Sequence, residues 1–92
     1  MIMENDPIVI SIEDTLDLHH FKPKEIPDLL NEYFLACLEK KIYVVRIIHG
    51  KGKGILKKRV ISILENHKNV RSFTPAASGN WGATIVNIVE QS

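Results

Sequence analysis

Asp17, His19, His20 and His49 are the residues of this chain whose types suit proton transfer near neutral pH. The run Ile47-Ile48-His49-Gly50-Lys51-Gly52-Lys53-Gly54-Ile55-Leu56 reads as an apolar strand entering a loop with glycine at every second position, then a helix. Gly50, Gly52 and Gly54 permit positive φ and a close approach of backbone to a ligand. A helix amino terminus offers unpaired N–H groups and partial positive charge, which suits an anion. Lys51 and Lys53 alternate with the glycines, and Lys57, Lys58 and Arg59 follow on the helix. Five of the twelve basic residues therefore fall within nine positions, a surface built to face phosphate.

Asp17 lies two residues before His19, so in extended backbone both side chains leave the same face. A carboxylate can orient an imidazole that moves a proton, while lysines and loop amides stabilise charge growing on phosphoryl oxygens. Those are parts for phosphodiester chemistry. The same residues have plainer readings. Asp17 can pair with Arg46 across a sheet face, His19 and His20 can be turn residues, and the basic run can be a solvated helix face. Three alternating glycines weigh against the last. An aspartate with three histidines is also a metal-binding set. No metal ligand is assigned and no cofactor is certain, with a divalent ion left open. The loop departs from the nucleotide-cofactor fingerprints, because Ile55 stands where the third glycine of G-x-G-x-x-G belongs and no G-K-[ST] is present. Trp81, in Gly79-Asn80-Trp81-Gly82, is either a packed anchor or a platform for stacking an unpaired base. His67 reads as a helix-end cation or a surface residue.

The elements that must hold these groups follow from apolar periodicity. Residues 1–7 read as a loose tail and residues 8–92 as one domain. Ile8, Ile10 and Ile12 suit a short edge strand, and Thr15 to His19 extends again with Leu16 and Leu18 on one face. Ile26, Leu29, Leu30, Tyr33, Phe34, Cys37 and Leu38 form a single helical stripe, with Pro27 in the first turn. Ile42 to Ile48 is apolar at nearly every position, the mark of a strand covered on both sides, with Arg46 the exception. A second helix runs from about Gly54 to His67, Val70 to Thr74 is a strand ending at Pro75, and Ala83 to Val89 is the last strand. The order β-α-β-α-β-β predicts an α+β two-layer sandwich, a mixed sheet with both helices on one face and the opposite face largely open.

Composition narrows the setting. The 92 residues carry a net charge of +1, so attraction to a polyanion has to come from the local cluster. One cysteine, Cys37, excludes an internal disulfide and reads as a small buried hydrophobe. No apolar run approaches the roughly 20 residues of a membrane span. Ile2 to Ile12 carries acids without a positively charged leader, so a cytoplasmic setting with no membrane partner is expected.

Leu16-Asp17-Leu18-His19, Glu25 early in a helix, the run from Ile47 to Leu56, and Gly82-Ala83-Thr84-Ile85-Val86 together resemble the Smr (small MutS-related) domain. The likeness covers about residues 8 to 90. It implies a fold like the carboxy-terminal domain of bacterial translation initiation factor three. It implies nucleic-acid binding, DNA or RNA, and in several members endonuclease activity on branched substrates. The family's D-x-H falls on Asp17 and His19, and its H-G-x-G on His49, Gly50, Lys51 and Gly52. The expected roles are Asp17 orienting His19 as general base, His49 as acid, and Gly50 to Gly54 with Lys57, Lys58 and Trp81 gripping the strand. The alternatives are a binding module without cleavage and a protein-interaction domain using the open sheet face. One position departs from the pattern: His20 stands where the family usually has glycine. The chain also reads as a lone domain, without the ATPase or helical repeats that accompany Smr domains elsewhere.

Overall fold

The computed structural model describes residues 14–50, 54–76 and 82–90. The expected strand at Ile8–Ile12 and the tail before it lie outside them. Along the described chain the elements are β1 (Asp14–Asp17), a 3-10 turn (Pro23–Glu25), α1 (Ile26–Glu39), β2 (Val44–Ile48), α2 (Ile55–Asn66), β3 (Val70–Pro75) and β4 (Ala83–Ile88). Among the described residues the sheet has four strands in the order β1-β2-β4-β3. β1 runs parallel to β2, and β4 is antiparallel to both β2 and β3. This is the mixed α+β sandwich that the alternation of periodicities predicts.

Why the layers meet is visible in the side chains. The helical stripe buries Ile26, Leu30, Phe34, Cys37 and Leu38 of α1, and α2 adds Val60 and Leu64. All seven join Leu18, Val45, Ile47, Val86 and Ile88 in one cluster, so both helices cover the same sheet face. Full burial of each large aliphatic or aromatic group is worth about 1.5–3 kcal/mol. The opposite face is less open than expected, since Ala76, Ala83 and Ile85 are buried there with Val44 and Ile48 packed against them. β2 is correspondingly asymmetric: Val45 and Ile47 are fully buried, whereas Val44, Arg46 and Ile48 are only half-buried. The near-continuous apolar run thus belongs to a central strand with one dry face and one partly covered face.

Element ends depart from the sequence reading by a few residues, each for a local reason. α1 closes in a Schellman arrangement, with the Ile42 N–H on the Cys37 carbonyl at 2.8 Å and the Lys41 N–H on the Leu38 carbonyl at 3.0 Å. Lys41 occupies the left-handed position usually given to glycine, with φ of 61°. That is why no glycine announces the helix end, and why β2 begins at Val44 rather than Ile42. α2 ends at Asn66, and His67 turns inward to meet the Phe34 ring edge-on at 5.1 Å. Its Nδ1 accepts the Asn69 N–H at 3.0 Å, so His67 is a partly buried packing residue and not a helix-end cation. Cys37 is buried as expected, and its thiol points to the Asp14 carboxylate at 3.6 Å.

A left-handed backbone costs a side-chain-bearing residue about 1–2 kcal/mol, part of which glycine returns as lost entropy in the unfolded chain. Lys41→Gly is therefore expected to raise the unfolding free energy by about 0.5–1 kcal/mol in urea titration. Destabilisation by this change would contradict the assigned helix end.

Candidate active site

Parallel pairing sets β1 and β2 with their carboxyl ends at the same rim. The register aligns Asp17 with Ile48, and Ile48 with Ala83, in a row across three strands. Beyond that row the Leu18 N–H reaches the Ile48 carbonyl at 2.7 Å. The His49 and Gly50 N–H groups both donate to the Gly82 carbonyl, at 2.8 and 2.9 Å. The D-x-H segment, the H-G segment and the start of β4 are consequently clipped together by backbone bonds.

The first functional pair is local. The chain turns at Leu18–Phe21, closed by the Phe21 N–H on the Leu18 carbonyl at 2.9 Å, which leaves His19 and His20 at the corner. Asp17 Oδ1 accepts both the His19 backbone N–H at 3.0 Å and the His19 ring Nδ1 at 2.5 Å. A carboxylate can only accept, so Nδ1 carries the proton and the neutral ring keeps a lone pair on Nε2. The pair is half-exposed, at 47% for Asp17 and 51% for His19, so that lone pair is open to a ligand. The His19 backbone N–H, then its ring, hold the Asp17 carboxyl below the usual carboxylate range. Asp17 and Arg46 make no ion pair, so the alternative pairing weighed from sequence is replaced by Asp17–His19.

His20 stacks on His19 with ring centroids 3.9 Å apart and planes tilted by 42°. Among the described residues Lys41 is the one non-glycine residue with positive φ, so His20 fits this corner without glycine's freedom. The departure from the family pattern changes what stands at the corner and not how the corner is made.

His49 is a different kind of group. It is 3% exposed, with Nδ1 3.1 Å from the Gly50 carbonyl and Nε2 3.0 Å from Thr84 Oγ1. The carbonyl requires Nδ1–H, so in the neutral ring Nε2 accepts the Thr84 hydroxyl. Burial pushes the His49 pKa down, against the opposing pull of the Gly50 carbonyl. Thr84 lies opposite Ile47 on the helix-covered face. Asp17 alternates with Leu16 and belongs to the other face. His49 and His19 thus flank one rim from opposite sides, and no hydrogen bond joins His49 to Asp17 or His19 among the described residues. A sealed imidazole with both nitrogens occupied is unsuited to hand a proton to substrate, which departs from the acid role expected of it. The sequence alone gives Thr84 no chemical role, and its one signal is a hydroxyl among the apolar neighbours Ala83, Ile85 and Val86.

The cationic side of the rim is partly described. Gly50 and Gly54 have φ of 82° and 80°, values that favour glycine and would strain any other residue at those two points. Gly54 caps α2 without a side-chain hydrogen bond, and the first turn carries no acid. Lys57, Lys58 and Arg59 are exposed there. Cations at a helix amino terminus oppose the helix dipole, so an arriving anion relieves both. Lys51, Gly52, Lys53 and Trp81 lie outside the described residues. No group of three or more His, Cys, Asp or Glu could hold a metal ion among the described residues. No helix among them is long and apolar enough to cross a membrane.

An α+β sandwich with an aspartate–histidine pair and a glycine-flanked imidazole at one rim defines a class that comparison identifies. The Smr domain family model matches residues 16–89, and the chain belongs to that family. It is 37% identical over 74 residues to the ribosome rescue factor SmrB of Aeromonas hydrophila, spanning 80% of this chain and 42% of that protein. It is 34% identical over 80 residues to the endonuclease MutS2 of Staphylococcus carnosus, spanning 85% of this chain and 10% of that protein. The chain therefore covers less than half the length of these relatives. The Smr domain of Thermus thermophilus MutS2 superposes with a TM-score of 0.78 at 25% identity, covering 85% of this chain and all of that one. The stand-alone small MutS-related protein YdaL of Escherichia coli shares the fold, with a TM-score of 0.73 at 24% identity over 83% of this chain and 64% of its own.

Burial lowers the pKa of both His49 and His67 below the ordinary 6.5. The unfolded chain then binds those protons first as pH falls, so their contribution to stability is complete above 6.5 and is lost progressively below it. The melting temperature is expected to drop between about pH 7 and about pH 5, with a shallower dependence in His49→Gln. A melting temperature independent of pH across that window would refute the neutral, sealed imidazole.

Proposed function

We propose that this domain binds nucleic acid and cleaves phosphodiester bonds in branched or structured DNA or RNA. The observation that carries the reading is the half-exposed Asp17–His19 pair, with its Nδ1–H on the carboxylate and its Nε2 without a partner among the described residues, and the first turns of α2 add the exposed cations Lys57, Lys58 and Arg59. Asp17 orients His19 and stabilises the ring once it is protonated. His19 Nε2 takes the proton from the attacking water or hydroxyl as its oxygen bonds to phosphorus, and the protonated ring returns a proton to the departing oxygen as the other P–O bond breaks. Lys57, Lys58 and the amide end of α2 hold the phosphate, joined in this proposal by Gly52 and the lysines Lys51 and Lys53 of the loop. Trp81 offers a stacking surface for an unpaired base. His49 acts through Gly50 and Thr84 as a positioning residue that sets the entry to the loop. Similarity to a MutS2 endonuclease and to a ribosome rescue factor supports a nucleic-acid substrate.

A binding module without cleavage is the second reading, favoured by one observation. The His20 ring lies against His19 at 3.9 Å, where a glycine would leave that face bare. Nicking of branched DNA and structured RNA by the wild type, Asp17→Ala and His19→Ala separates the two, run with and without divalent metal. Loss of cleavage by about 10²–10⁴-fold in both variants, with binding retained, is the expected result. Cleavage surviving both changes would remove this site, and binding without cleavage in the wild type would establish the module.

A further inference from the structure

Arg46 precedes His49 by three residues on β2 but faces the other way. Val45 and Ile47 are fully buried under the helices, so Arg46 belongs to the opposite sheet face. Asp17 shares that face. Arg46 stands between Thr15 of β1 and Ile85 of β4, and Asp17 stands opposite Ile48. Arg46 and Asp17 are therefore diagonal neighbours, about 7–8 Å apart in backbone position and within reach of a long side chain.

No acid answers this guanidinium among the described residues. Asp17 Oδ1 is taken by His19, and the Asp14 carboxylate lies on the helix side with Cys37. The Arg46 Nε is enclosed and has no hydrogen-bond partner. An enclosed unpaired donor costs about 1–3 kcal/mol, and a guanidinium is satisfied best by a two-oxygen anion. Its direct cross-strand neighbours on the face are the hydroxyl of Thr15 and the apolar Ile85, and neither neutralises it.

We propose that Arg46 binds a phosphate of the substrate strand adjacent to the one being cleaved, so that the strand crosses the sheet face opposite the helices, over β1 and β2, with His19 at the rim. The proposal rests on the nucleic-acid reading above and adds a path for the strand. Lys57 and Lys58 then hold the strand from the helix side of the rim and Arg46 from the sheet side, with Asp17 and His19 between. Arg46 is a binding residue here and takes no part in proton transfer.

The experiment measures affinity for a labelled branched DNA and a labelled hairpin RNA against salt, together with steady-state cleavage, using the full chain. Arg46→Gln is expected to reduce the log–log salt slope by about one unit and to weaken binding roughly tenfold near 0.1 M salt. KM should rise with kcat changed little, since a contact made equally in ground and transition states is lost. Arg46→Lys should keep the slope, because the charge remains, while losing part of the affinity that the planar fork supplies. Arg71→Gln, on an exposed residue of β3 at the far edge of the sheet, should change nothing. A wild type that binds with salt-dependent affinity while Arg46→Gln keeps its slope would overturn the strand path and leave the nucleic-acid reading standing. A wild type that binds neither substrate would end both. If Arg46→Gln melts early, the Lys variant carries the test alone: a slope reduced despite the retained charge would also overturn the proposal.

Discussion

Parallel pairing of β1 with β2 is the constraint from which the site follows. Two parallel strands finish at the same rim, and the Leu18 N–H on the Ile48 carbonyl extends that pairing one residue past the strand itself. Since α1 makes the crossover between them, the pairing requires the α1 stripe to cover the sheet. The core cluster of Ile26, Leu30 and Phe34 against Val45 and Ile47 is what keeps the aspartate–histidine segment at the same rim as His49 and Gly50. Loss of that packing would separate the two segments without touching a functional side chain.

The rim then divides its histidines by environment. His19 sits at an exposed corner with one nitrogen committed to a carboxylate, which leaves the other available to a ligand. His49, of identical chemistry, is sealed between a carbonyl and a hydroxyl and is biased toward neutrality by burial. Solvent access, and not residue type, separates a group able to exchange protons from one that holds a loop. The strand period does the sorting, since one residue's shift in register would exchange the faces of Asp17 and Leu18.

The same alternation gives Arg46 its significance. In an apolar strand, an arginine on the helix face would be an unpaired charge inside the core, at prohibitive cost. On the other face it is tolerated, half-buried and without an ion-paired acid among the described residues, on the side of the sheet that Asp17 occupies. The basic helix end and this arginine bracket the rim from two sides, which a net charge of +1 conceals.

Much was legible in the residues alone, because period and breaker residues are local properties. The α1 stripe, the apolar β2, the order of the six elements from β1 to β4 and the D-x-H and H-G segments with their family likeness all follow from short-range pattern. The end of α1 did not, since Lys41 takes a glycine's conformation under the pull of two backbone bonds. Nor did the inward turn of His67, which depends on Phe34 arriving from another helix. Which imidazole is exposed, that Asp17 makes no ion pair with Arg46, and that Thr84 holds His49 are decided only in the folded chain. Burial and face are relations between distant segments, as Thr84 stands 35 residues from His49, and no local window contains them.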